Sequence, residues 1–249
     1  MVISCHQPNY IPWAGYFCKM KESDIFVLLD SVQFPRGVCK GTSWVNRNRI
    51  KTSNGELWLT VPVKKKGKGL QIIKDVEINN NTDLPDPPQA DWRKKHFLSL
   101  WHFYKKAPYF NEYIDFFEHI YNTHWDKLVE LNVAIIKQIS IWLDIKAQIN
   151  CSSELGLTTN KTQLLVDICN YFKADTYIAG AGGAKYMDLS LFENSKIKVR
   201  DYRFRGVPYP QFWGNFVPNL SVVDILFNCG KKGFEMQIPP WRDREVESL

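Results

Sequence analysis

Met1-Val2-Ile3-Ser4-Cys5, followed by His6-Gln7-Pro8-Asn9-Tyr10-Ile11-Pro12-Trp13-Ala14-Gly15-Tyr16-Phe17, opens the chain and decides its fold. The short apolar run reads as a strand, the segment after Trp13 as a helix, and the stretch between them as a strand-to-helix loop. Such loops lie at the carboxyl ends of strands, where α/β proteins bind ligands. Pro8 and Pro12 fix φ and stiffen the loop, Gly15 allows a close backbone approach, and His6 exchanges protons near neutral pH. Cys5 precedes His6, but neighbours on a strand point to opposite faces, so Cys5 is read as a core thiol and not as a nucleophile.

Working outward, Asp24-Ile25-Phe26-Val27-Leu28-Leu29-Asp30 has five apolar residues bounded by acids, the pattern of a parallel strand buried on both faces. It runs into Asp30-Ser31-Val32-Gln33-Phe34-Pro35, and Trp44 to Ile50 and Leu57 to Val63 are further apolar runs beside polar clusters. After the middle of the chain the rhythm returns: strands at 145–149, 176–179 and 197–199, with an amphipathic helix over 161–172. This alternation predicts a Rossmann-like α/β fold with a mainly parallel sheet and helices on both sides. A Pro/Asp-rich surface loop at 79–89 and three helices at about 90–106, 108–122 and 123–144, the first two separated by Pro108, interrupt it. The expected organisation is an α/β core of residues 1–89 and 145–235, a helical insert at 90–144 over the ligand-facing edge, and a charged tail at 236–249.

A chain of 249 residues with 45% hydrophobic content can bury a large core. The formal charge of +6 suits an anionic nucleotide sugar or cofactor as well as nucleic acid, but neither a recognition module nor a basic stripe points to DNA or RNA. Lys64-Lys65-Lys66-Gly67-Lys68 reads as a solvated hairpin tip, with a phosphate-contacting loop as the alternative. Six cysteines without a C-x-x-C pair suggest reduced thiols. His96, His102, His119 and His124 show no i, i+4 metal spacing, and no metal site is expected. No basic n-region with an apolar stretch and no membrane-length run is present, so the expected location is the cytoplasm and the expected partner a small molecule.

The motifs together resemble a known family, the WbqC-like proteins of bacterial surface-polysaccharide (O-antigen) gene clusters. The resemblance rests on His6-Gln7-Pro8 with Pro12 to Phe17, Leu29 to Phe34, Asn46-Arg47-Asn48 and Leu59 to Val63. It continues in Gly180-Ala181-Gly182-Gly183 with Tyr186 and Asp188, Tyr209-Pro210-Gln211, and Pro218 to Gly230. It implies an enzyme of surface-glycan assembly that transfers a glycyl or related acyl group to the amino group of a nucleotide-linked amino sugar. The acyl source stays open between an adenylate formed from ATP, an acyl-CoA thioester and an aminoacyl donor.

Such a reaction needs a base for the ammonium proton and donors for the tetrahedral oxyanion. His6 is the candidate base, with Asp30 or Asp224 orienting it or binding the amine. Gln33, Asn46 and Asn48 are candidate donors, and Arg47 and Lys161 candidates for phosphates or a carboxylate. Gly180, Gly182 and Gly183 follow a strand and could cradle an anion. Asp224 and Asn228, four apart behind a capping Ser221, share a helix face. Gln7, Tyr10, Trp13, Lys19, His96, Tyr104, Tyr186 and Gln211 complete the candidate substrate contacts. The order strand, proline loop, Gly15 and helix also looks like the HUP class of nucleotidyltransferases, but Trp13-Ala14-Gly15-Tyr16 stands where that class carries H-x-G-H. Nucleotidyl transfer to a phosphorylated metabolite and noncatalytic sugar binding by the nine tryptophans and eleven tyrosines are the alternatives.

Overall fold

The computed structural model describes residues 1–35, 43–80, 91–180 and 186–238. The chain begins with β1 (Val2–His6), α1 (Ala14–Lys21) and β2 (Ile25–Leu28), followed by a hairpin of β3 (Arg47–Thr52) and β4 (Gly55–Thr60). Three helices come next, α2 (Trp92–Tyr104), α3 (Phe110–Asn122) and α4 (Leu128–Trp142). The alternation then resumes with β5 (Gln148–Cys151), α5 (Lys161–Tyr171), β6 (Thr176–Gly180), α6 (Leu189–Asn194), β7 (Lys198–Tyr202) and α7 (Val222–Glu235).

Five strands form one parallel sheet in the order β5-β2-β1-β6-β7, with Ile3 beside Ile25 on one side and Tyr177 on the other. By order of appearance the sheet reads third, second, first, fourth, fifth, the Rossmann arrangement. The uniform apolarity of β2 has a direct cause: Phe26 and Leu28 enter the core on one face, and Ile25 and Val27 enter the core on the other. Helices α1, α3, α4 and α7 supply the first core, while Leu164, Ile168 and Phe192 from α5 and α6 supply the second. Each such side chain contributes roughly 1.5–3 kcal/mol when fully buried. The fold is therefore Rossmann-like α/β, as the sequence predicts.

Several details go beyond the sequence reading or depart from it. The runs Trp44–Ile50 and Leu57–Val63 lie outside the parallel sheet and pair with each other antiparallel, from Arg47 opposite Thr60 to Thr52 opposite Gly55. Ser53 and Asn54 form the tip, and Gly55 takes a φ of 104° that favours glycine. The lysine cluster consequently lies beyond β4 in an exposed turn, where Lys64 and Lys68 pair with Glu77 at 2.9 and 3.3 Å. Helix α4 starts at Leu128 and not at 123, because the preceding backbone bonds residues 76–78: Ile78 N to Asp126 O and Leu128 N to Val76 O. Most of the 79–89 loop and of the 236–249 tail lies outside the described residues, as does Cys39. No helix among the described residues is long and apolar enough to cross a membrane.

Candidate active site

The loop after β1 is held from behind by five separate elements. Ile11 adopts a φ of 34°, a costly conformation for a β-branched residue. Its carbonyl accepts hydrogen bonds from Asn48 Nδ2 of β3 and from Ser221 Oγ before α7, both at 2.8 Å. Asn132 Nδ2 of α4 donates to Pro8 O and to Val45 O, each at 2.7 Å. Tyr10 Oη joins Tyr121 Oη at 2.6 Å and His96 Nδ1 at 2.8 Å inside the core. Tyr10, Asn48 and His96 thus support the rear of the loop, and its front is left to His6, Gln7 and Trp13.

That front opens on a cleft of about 570 Å³ where β1 and β6 part, the point of the sheet at which chain order reverses. His6, Gln7, Trp13, Lys19 and Gly180 from the sequence candidates line it, joined by Tyr16, Arg203, Phe204 and Arg205. A larger groove of about 810 Å³ runs along α2 past Leu98 and Trp101, but it is lined by Asp91 and that helix alone, without loops converging from several strands. The chemistry favours the smaller cleft.

His6 Nδ1 lies 3.2 Å from Gln7 O, and a carbonyl only accepts, so Nδ1 carries the proton and Nε2 keeps its lone pair. Tyr16 packs edge-on against the ring at 4.8 Å. Burial first, and the Lys19 ammonium second, push the His6 pKa down to about 3, so the imidazole is neutral across the physiological range. Lys19 is itself buried, its Nζ 2.8 Å from Cys5 O, and burial pushes its pKa down to about 8. Burial also pushes the Cys5 thiol up, consistent with a core cysteine. Arg203 donates Nε to Asp201 at 2.6 Å, and Arg205 forms no ion pair among the described residues. Phe204, between them in sequence, lies edge-on to Trp13 at 5.0 Å.

Other sequence candidates gather elsewhere. Asp224 is fully buried, accepting from Tyr104 Oη at 2.7 Å and Tyr209 Oη at 2.8 Å, while Asn228 Nδ2 bonds its backbone oxygen. Burial holds the Asp224 carboxyl above its usual range, opposed by the two phenols. Lys51, also buried, reaches Gln211 Oε1 at 3.0 Å and the Gly214 and Asn215 carbonyls. This network joins Tyr104, Gln211, Asp224 and Asn228, and it anchors the irregular segment that carries Arg203 to Arg205.

Asp30 lies one residue beyond the cleft-lining Leu29 and accepts from Ser152 Oγ and from Ser153 N and Oγ, fixing the turn after β5. His6 therefore bonds a backbone carbonyl and neither of the carboxylates expected to orient it. Asn46 bonds Val61 O and Ser43 within the hairpin, and Arg47 lies over the Trp58 ring at 4.4 Å. Gln33 bridges to Ile72, Lys161 opens α5 in solvent, and Tyr186 is exposed. Gly182 and Gly183 lie outside the described residues. The sequence pattern, which ends the last strand at 199, does not single out Arg203 and Arg205; the strand's continuation to Tyr202 brings a basic-aromatic-basic triplet to its carboxyl end.

Comparison with known proteins places this geometry in a family. The model of the WbqC-like protein family matches residues 7–236, a span that includes the loop after β1, β6 and the Arg203–Arg205 segment. The uncharacterized protein Rv1507c of Mycobacterium tuberculosis is 34% identical over 226 residues, covering 90% of this chain and 92% of that protein. No solved structure matches. With the match running over most of its length, the chain belongs to the WbqC-like protein family.

Proposed function

We propose that the protein is an enzyme of surface-polysaccharide biosynthesis that transfers a glycyl-type acyl group to the amine of a nucleotide-linked amino sugar in the cytoplasm. One observation carries this: the cleft at the parting of β1 and β6 is walled by Arg203 and Arg205 and has no carboxylate among its described lining residues. A guanidinium pair at the mouth suits a diphosphate, which each arginine can grip with two parallel hydrogen bonds. Trp13 and Tyr16 offer aromatic faces to a base or sugar ring. His6, neutral with Nε2 as an acceptor, can orient a sugar N–H or hydroxyl. The nucleotidyl-transfer alternative is disfavoured by Trp13 and Tyr16, which line the cleft where the HUP class carries its two imidazoles.

The test is a thermal-shift series with nucleotide amino sugars, acyl-CoA and ATP, followed by mass-detected acylation of any sugar that binds. Stabilisation by the amino-sugar nucleotide and a mass gain of one acyl group, lost in Arg203→Ala/Arg205→Ala, is the expected result. Stabilisation by ATP alone, with pyrophosphate release dependent on a phosphorylated acceptor, would replace it with nucleotidyl transfer.

A further inference from the structure

An amino sugar at neutral pH carries an ammonium, which has no lone pair for attack on an acyl carbon, so amide formation needs a proton acceptor in the cleft. With no aspartate or glutamate among the described lining residues, His6 and Lys19 are the available nitrogen bases. Lys19 rises from α1 between the carboxyl ends of β1 and β6. Its Nζ bonds Cys5 O at 2.8 Å, sits 5.7 Å over the Phe26 ring, and lies 3.9 Å from the point a Cβ on Gly180 would occupy. Its side chain is buried and forms no ion pair among the described residues.

Building on the amide-forming reading, we propose that Lys19, in its neutral form at the floor of this cleft, takes the proton from the sugar ammonium. The freed amine then attacks the carbonyl carbon of an activated acyl ester or thioester. The new N–C bond forms, the bond from that carbon to the leaving oxygen or sulfur breaks, and the second nitrogen proton departs with the leaving group. The proton held by Lys19 passes to solvent when product leaves.

The surroundings favour this assignment from every side. Cys5 and His6 approach Lys19 from β1, and Tyr177 from β6 and Tyr202, Arg203 and Arg205 from β7 and the segment after it line the same cleft. Burial pushes the Cys5 thiol and both phenols up, so they stay neutral, and no carboxylate holds the ammonium charged. With its pKa near 8, about a tenth of Lys19 is free amine at pH 7. His6, near 3, would have to draw a proton from an amine of about 8, uphill by a factor of about 10⁵.

Trace acetylation of the native protein across a pH series, read at each lysine by mass spectrometry, measures the titration without any variant. Lys19 should inflect near pH 8, below the ordinary lysine value of about 10.4. Lys19→Arg, which keeps the charge and never deprotonates, should lower kcat at least about a hundredfold while KM for the nucleotide amino sugar stays within about threefold. Small primary amines should restore part of the turnover of Lys19→Ala. A Lys19 inflection above pH 10, or turnover that survives Lys19→Arg, would overturn the assignment alone. A wild-type protein that acylates no amino sugar would overturn the reaction, and the role of Lys19 with it.

Discussion

Gly15→Ala tests how closely the arginine-bearing segment is seated on the cleft. A Cβ at Gly15 would stand 2.7 Å from Phe204 Cγ, 2.7 Å from Trp13 Cη2 and 2.8 Å from Trp13 Cζ3. Carbon pairs rest at about 3.5–4.0 Å, so roughly 1 Å of overlap must be relieved. The Phe204 contact is at Cγ, near the root of the side chain, and no ring rotation removes it. Overpacking of this kind costs about 1–3 kcal/mol, against which alanine recovers up to about 1 kcal/mol of helix propensity. The net loss of about 1–2 kcal/mol should lower Tm by about 3–6 °C for a chain of this size. Because Phe204 lies between Arg203 and Arg205, the displacement should also weaken nucleotide-sugar binding about tenfold, or about 1.4 kcal/mol. A double-mutant cycle with Phe204→Ala, followed by urea unfolding and by titration calorimetry, isolates the clash. With the ring gone, alanine at position 15 should cost at least about 1 kcal/mol less than with the ring present. Additive effects, or a Gly15→Ala protein as stable as the wild type, would refute the seating of Phe204 on α1.

Asp224→Ala should destabilise by about 3–5 kcal/mol, since it removes the shared acceptor of two buried phenols and a buried carboxylate attracted to Lys51; a urea-unfolding loss below 1 kcal/mol would contradict the network. His96 is 2% exposed and its pKa is pushed down to about 3, chiefly by burial. Its stabilising share is complete above an unfolded pKa of about 6.5 and declines as pH falls towards 3, by about 1.4 kcal/mol per pH unit. His96→Gln should therefore flatten the unfolding free energy between pH 6 and 4 by about one proton's worth, and an unchanged slope would exclude a neutral buried imidazole. Arg205→Ala should weaken nucleotide-sugar binding about tenfold and reduce its dependence on salt; equal affinity at low salt would remove Arg205 from the site.

The sheet was legible because its strands announce themselves locally. Ile25 to Leu28 are apolar throughout since both faces are covered, and Met1 to Phe17 carries strand, loop and helix in one stretch. The hairpin was not separable from the sheet by composition, because Leu57 to Val63 is as apolar as a sheet strand; only the antiparallel pairing of β3 with β4 reveals it. The front of the cleft was equally legible: His6 and Gly180 end β1 and β6, Gln7 and Trp13 lie in the loop after β1, and Lys19 sits in the last turn of the helix that follows. Asn48 and Asp224 share the residue types of a catalytic polar group, yet one secures the strained Ile11 carbonyl and the other a pair of buried phenols. A one-dimensional pattern carries the chemistry of such groups but not the direction in which they point.

The most direct test of the cleft is amide hydrogen exchange with and without a nucleotide-linked amino sugar. Slowed exchange at residues 5–16 and 202–206, with 94–103 on α2 unchanged, is the result the cleft between β1 and β6 predicts. Protection confined to the α2 groove would contradict it.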